Sequence, residues 1–379
     1  MFNKIRVPRF NLANEVPQPV DQSIFMREVV KTFKTQAGDF TALKKVSIDF
    51  QAGDFAAITG KSGSGKSTLI NMITGIDIPS SGEINVGGVA VHQLNESQMA
   101  IWRGRNLGIV FQFFQLLPTL SLLENTMLPM DIAGLIEPPK REARAMELLR
   151  MVGLDAVAHK MPAAVSGGQQ QAAAIARALA NNPPFLVADE PTGNLDSRTA
   201  ENVFEIFEQL SDQGKTILMI THDPLLAQRT NRQVLISDGE IVNPWLHKTF
   251  PMLNHAQLLQ ATHQMRLKQH ADGEKIIEQG QPSDALYIVT QGQVEVSIQD
   301  AVVARLSPGE FFGEMELLQE NPAVATVRAA SRENVETLSL KRGFFSTLLE
   351  EARTLREMLT RVVQDRMAQN LALTGGRLK

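Results

Sequence analysis

Gly60-Lys61-Ser62-Gly63-Ser64-Gly65-Lys66-Ser67 follows the apolar run Phe55-Ala56-Ala57-Ile58-Thr59 and precedes Thr68-Leu69-Ile70. The eight residues fit the phosphate-binding P-loop pattern in full, and the flanks predict the strand and the helix that the pattern requires on either side. Gly60, Gly63 and Gly65 let backbone N–H groups curl around phosphate oxygens, and the helix N-terminus adds a positive dipole. In that arrangement Lys66 reaches the terminal phosphates, Ser67 ligates Mg2+, and Ser62, Ser64 and Thr68 complete the cradle. A glycine-rich turn with no ligand would not need both flanks.

Working outward, Phe185-Leu186-Val187-Ala188 reads as a second buried strand, delivering Asp189-Glu190 at its end. Short apolar runs alternate with helical stretches from Ile24 to about Ile241, the rhythm of an α/β domain, assigned to 23–243. Inside it, Val165-Ser166-Gly167-Gly168-Gln169 stands before the alanine-rich stretch Ala172 to Ala180. That places a small-residue turn at a helix N-terminus and predicts a second phosphate cradle.

The flanks read differently. Residues 1–22, with Pro8, Pro17 and Pro19, lack the apolar core of a signal peptide and are expected to be a flexible tail. Asn243-Pro244 opens an irregular stretch taken as a linker, 244–256. Beyond it, glycine turns at Gly273, Gly280, Gly292 and Gly309 predict a small β-roll over 257–371. Phe345, Leu348, Leu355, Leu359, Val362 and Met367 recur at helical spacing and predict closing helices, before a tail at 372–379. This stripe is expected either to pack on its own roll or to hold two subunits together.

Composition narrows the class. A chain of 379 residues, 43% hydrophobic and 21% charged, is long enough for two domains with cores of their own. Its net charge of −4 argues against nucleic acid as the principal partner. The absence of cysteine excludes disulfides and thiolate zinc sites and fits a reducing compartment. No run of about 18 apolar residues occurs, so any membrane role is expected to be peripheral.

In order and spacing, about 220 residues resemble the ABC ATPases, which are α/β P-loop NTPases. The resemblance implies that Ser166, Gly167, Gly168 and Gln169 form the signature that closes on the ATP of a second, head-to-tail subunit. It further implies that Asp189 supports Mg2+, that Glu190 polarises the attacking water, and that His222 contacts the γ-phosphate. Gln112, in Val110-Phe111-Gln112, falls where the family has the Q-loop residue that touches Mg2+, and Asp196 where it has the D-loop. Phe33 occupies the place of the usual adenine-stacking tyrosine; without a hydroxyl it still offers a ring face. The run from Val110 to Met130 and Ser166-Gly-Gly-Gln-Gln-Gln171 resemble the lipoprotein-release and macrolide-export branch, except that Ala172 replaces the arginine usual there.

From about Leu258 the chain resembles cyclic-nucleotide-binding domains, with Phe312-Gly313-Glu314-Met315-Glu316-Leu317 aligned to the phosphate-binding cassette. Glu314 matches the family's ribose-binding glutamate, but Ala323 stands where an arginine clamps the cyclic phosphate. Losing that charge-assisted contact costs on the order of 2 to 5 kcal/mol, so cyclic nucleotide binding is not expected.

Together these imply an ATP- and Mg2+-dependent transport ATPase. It works as a homodimer beneath separate integral membrane permease subunits that extrude lipid, lipoprotein, peptide or drug-like cargo. The second domain is expected to be regulatory or dimer-stabilising. The competing reading is a soluble, ligand-regulated ABC ATPase acting as a signalling or clamp protein; Glu190 argues against a site that only binds.

Overall fold

Phe55 to Ile58 are all buried, and a strand apolar on both faces needs neighbours and cover on both sides. The computed structural model, which describes residues 16–36, 38–319, 321–331 and 334–373, supplies them. The chain divides into two compact units, Met1–Ile241 and Val242–Lys379.

In the first unit the order is β1 (Ile24–Thr35), β2 (Gly38–Phe50), β3 (Phe55–Thr59), α1 (Lys66–Ile73), β4 (Ser81–Val86), β5 (Val89–Ala90), α2 (Glu96–Asn106) and β6 (Leu107–Val110). Then come α3 (Leu122–Ala133), α4 (Pro138–Met151), α5 (Gly167–Ala178), β7 (Phe185–Asp189), α6 (Ser197–Asp212), β8 (Thr216–Ile220), α7 (Pro224–Arg229), β9 (Arg232–Ser237) and β10 (Glu240–Ile241). The described strands form one sheet in the order β10-β9-β3-β8-β7-β6 and an antiparallel sheet in the order β2-β1-β4-β5. From β9 to β6 the first sheet is parallel. Hence the C-terminal ends of β3, β8 and β7 lie side by side along one edge, where ligands of open α/β sheets sit. Leu122, Met130, Leu149, Ile175 and Phe204 share one apolar cluster that seats α3 to α6 behind that edge.

Residues 16–22 depart from the expected flexible tail. Val16 is buried in the core, Val20 N donates to Gly87 O at 2.8 Å, and Thr216 Oγ1 donates to Gln22 O at 2.8 Å. Gly87 makes room for this segment, since a Cβ there would lie 2.6 Å from Pro19 Cβ. Residues 1–15 lie outside the described residues.

The second unit opens with helices, not an irregular linker: α8 (Pro244–Thr249) and α9 (His255–Gln264). Asn243 accepts a hydrogen bond from Trp245 N and Pro244 takes the first helical position, so the pair is a helix start. Leu246, Phe250 and Leu253 are buried. Next come β11 (Arg266–His270), β12 (Lys275–Ile277), β13 (Ala285–Gln291), β14 (Val294–Ile298), β15 (Ala301–Leu306), β16 (Phe311–Phe312), α10 (Glu314–Gln319), β17 (Thr326–Ala329), β18 (Val335–Lys341), α11 (Arg342–Glu351) and α12 (Arg353–Leu373). The described strands pair as β11-β18-β13-β16 and β12-β17-β14-β15, two antiparallel sheets around Val289, Val294, Phe312 and Val327.

Phe345, Leu348, Leu355, Leu359 and Val363 are buried within this single chain, with α11 packed on β13 and β18. The stripe that was expected either to join two subunits or to pack on its own roll is therefore mostly spent on the latter. Met367 is the member of it left exposed.

Candidate functional site

The P-loop links β3 to α1, and its glycines are needed for space as well as for dihedrals. A Cβ on Gly60 would lie 2.2 Å from Ile236 O, and one on Gly65, at φ 105°, would lie 2.7 Å from Ala42 O. Lys66 is buried at the first turn of α1, where its Nζ donates to Gly60 O and Lys61 O, both at 3.0 Å. Burial pushes its ammonium below the usual lysine range, against the pull of Glu190 and Asp189. Ser64 Oγ is buried without a hydrogen-bond partner. Ser62, Gly63 and Ser67 are exposed and Thr68 is half-buried.

At the end of β7, burial raises the Asp189 carboxyl above the usual aspartate range, while a hydrogen bond from Ser67 opposes the rise. A hydroxyl and a carboxylate side by side are hard oxygen donors of the kind Mg2+ takes, with phosphates and water completing its shell. Glu190 follows in the left-handed region, at φ 47°. Its Oε1 lies 2.8 Å from His222 Nε2, and its Oε2 accepts from Gln112 Nε2 at 3.0 Å. Gln112 follows β6, Glu190 follows β7 and His222 follows β8, so neighbouring strand ends of the parallel sheet bring the three together. Asn194 Nδ2 donates to Gln112 O at 3.4 Å.

The signature residues build a second cluster. Ser166 caps α5: its Oγ accepts from Gln169 N at 3.3 Å and Gln169 Oε1 accepts from Ser166 N at 3.0 Å. A Cβ on Gly168 would lie 2.4 Å from Thr199 Cγ2, and Thr199 Oγ1 donates to Asp196 Oδ2 at 2.7 Å. Asp196 in turn caps α6, accepting from the N–H groups of Arg198 and Thr199.

One residue beside the site escaped the sequence reading. Arg177, on α5, donates to Phe114 O at 2.8 Å and to Gln115 O, fixing the two non-glycine residues after the Gln112 segment that adopt positive φ. An arginine among alanines, on the helix the signature starts, was the available signal. Ala172, in place of the family's arginine, is 8% exposed and packs in the core cluster. Phe33 is 38% exposed, too open for a core residue, and Lys31 Nζ lies 4.9 Å from its ring centroid.

Residues 43–193 match the family described as ABC transporter, and residues 267–352 the cyclic nucleotide-binding domain. An uncharacterised ABC transporter ATP-binding protein of Bacillus subtilis, YvrO, is 44% identical over 218 residues, covering 57% of this chain and 94% of that one. The chain belongs to the ABC transporter ATP-binding proteins. Within them the cassette is similar to the lipoprotein-releasing system ATP-binding protein LolD of Anaeromyxobacter dehalogenans, 46% identical over 207 residues, 54% of this chain and 87% of that one. It also resembles the MacB macrolide export protein of Mannheimia succiniciproducens, 43% identical over 220 residues, 58% of this chain and 34% of that one. This is the lipoprotein-release and macrolide-export branch, carrying a cyclic-nucleotide-binding-like domain after the cassette. Among solved structures, the ATP-binding cassette MJ0796 of Methanocaldococcus jannaschii, dimeric and bound to ADP and Pi, superposes with a TM-score of 0.55. It is 40% identical and the match covers 57% of this chain and 96% of that one. The cassette is thus an ATPase of the P-loop fold.

In the second unit, Glu314 is 2% exposed and pairs with Arg366 at 2.8 Å, while Ala323 is buried where the clamp arginine would stand.

Proposed function

We propose that the chain is the ATP-hydrolysing subunit of a transporter whose membrane-spanning permease is a separate protein. The observation that carries this reading is Glu190 held from both sides by Gln112 and His222 at the edge where the P-loop lies. Glu190 is assigned the water-orienting role, His222 and Gln112 the contacts that report the γ-phosphate, and Ser67, Asp189 and Gln112 the Mg2+. When bound, Mg2+ would neutralise phosphate charge as the terminal phosphoryl leaves.

Two copies bury two ATP head to tail, each between Lys66, Ser62, Ser64 and Thr68 of one subunit and Ser166 to Gln169 of the other. Two features of the chain support this: Ser166 and the exposed first turn of α5 form a phosphate-binding surface separate from the P-loop cluster, and Asp196 stands beside it. Phe33 stacks the adenine. Among the described residues no helix is long and apolar enough to cross a membrane. The cassette meets the inner membrane's cytoplasmic face through the permease, at the exposed surface carrying Phe113 and Leu117. Its cargo class is lipid, lipoprotein, peptide or drug-like. The second unit is regulatory, and with Ala323 it does not answer to cyclic nucleotides.

Mixing chains tests the arrangement. A Lys66→Ala chain and a Ser166→Asp chain, each inactive alone, should together restore one intact composite site and part of the ATPase activity. No recovery in a mixture that forms dimers would overturn the head-to-tail assignment.

A further inference from the structure

The β-roll encloses a cavity of about 250 Å³, just below the ~300 Å³ at which ligand pockets usually begin. Its walls mix apolar side chains, Ile277, Val296, Leu306 and Val327 among them, with polar and charged ones. Two buried carboxylates, Glu314 and Glu316, project from the first turn of α10 and line it. Glu314 Oε1 is taken by Arg366, but its Oε2 is buried without a hydrogen-bond partner. A buried acceptor left unmet is costly, and on a carboxylate more so.

Charge decides what would meet it. Arg366 balances Glu314, and Arg305 at the wall is paired with Glu295. Glu316 Oε1 accepts from Val324 N at 3.3 Å, with Glu314 and Arg342 as its charged neighbours, and burial pushes its carboxyl above the usual glutamate range, toward the neutral acid. Of the charged side chains lining the cavity three are acidic, Glu310, Glu314 and Glu316, and two are basic, Arg305 and Arg366, so the unmet Glu314 oxygen faces a wall that favours a donor over an anion. Arg366 displays the chemistry that fits: its guanidinium sits on a Glu314 oxygen, donates to Phe311 O at 2.9 Å, and lies 5.1 Å from the Phe311 ring centroid.

We propose that this cavity binds an organic monocation, an apolar body bearing a primary ammonium group that donates to Glu314 Oε2. The ligand shares Glu314 with Arg366, and so is coupled to α12, which carries that arginine. This assignment is independent of the ATPase site.

Three probes of one shape and different charge test it on the full-length chain by calorimetry: phenethylammonium, 2-phenylethanol and phenylacetate. The ammonium should bind at sub-millimolar concentration, the alcohol at least about tenfold more weakly, and the carboxylate not at all. Glu314→Gln, nearly isosteric, should abolish the preference for the amine. Arg366→Met removes the competing guanidinium and should tighten amine binding about tenfold, which decides the matter if Glu314→Gln fails to fold. Equal binding of the three probes, or no amine binding to either the parent or Arg366→Met, would overturn the proposal. So would micromolar binding of cyclic AMP.

Discussion

Glu190 Oε1 and His222 Nε2 stand 2.8 Å apart although they are 32 positions apart in the chain, with α6 and β8 between them. With Gln112 on the other carboxylate oxygen, Glu190 is oriented before any nucleotide contact is considered. A group so held, in a left-handed backbone position that costs about 1 kcal/mol or more for a non-glycine residue, fits a preorganised base.

Glu190→Gln keeps the shape and both hydrogen-bonding neighbours while removing the charge. Turnover should fall by about 10² to 10⁴ fold with ATP affinity retained, leaving a dimer trapped around ATP. Steady-state hydrolysis within about twofold of the parent, in a preparation that binds ATP, would remove Glu190 from its role.

Asp189 predicts a trade between stability and function. Its carboxyl is raised in the fold by burial, so the folded chain holds that proton more tightly than the unfolded chain does. The linked stability is therefore present at low pH and lost as pH rises from the ordinary aspartate range through the raised one. Asp189→Asn should melt higher than the parent near neutral pH, with the gap closing on acidification, yet bind Mg2+–ATP at least about tenfold more weakly. Scanning calorimetry across pH with ATP titration checks both halves.

Ser166 serves as a helix cap in the chain itself, so that role must be separated from the proposed contact with nucleotide. Ser166→Ala loses the cap, at about 1 kcal/mol. Ser166→Asp keeps a capping oxygen and suits the α5 dipole, but sets like charge against phosphate, worth about 4 kcal/mol at close range in a partly screened site. The aspartate variant should match the parent in Tm and lose more than about hundredfold in turnover. An active Ser166→Asp chain would show that the signature does not meet the γ-phosphate.

Phe113 is 68% exposed, one residue after Gln112. An apolar ring there is a natural anchor for a partner. Phe113→Asp should leave ATP affinity unchanged and weaken permease binding by about 2 kcal/mol, roughly thirtyfold. Co-purification from membranes measures it, and undiminished recovery of the permease would move the docking surface elsewhere.

Gly60 to Ser67, Ser166 to Gln169 and Asp189-Glu190 could be singled out because each is a local pattern: glycines between a strand and a helix, a cap before a helix, carboxylates after a buried strand. The β-roll of the second unit was legible for the same reason, through its regularly spaced glycine turns. What only the tertiary structure decided are relations between distant segments. Gln112, Glu190 and His222 meet because β6, β7 and β8 are parallel neighbours, a matter of strand order that no local pattern records. Asn243-Pro244 reads equally as a break or a helix start until Leu246 and Phe250 find a core to fill. The α11–α12 stripe declares only that it must be buried; its own roll, not a second chain, turned out to be mostly what covers it. Arg366 reaches Glu314 across 52 residues, and that ion pair exists only because folding leaves a buried carboxylate in need of a cation.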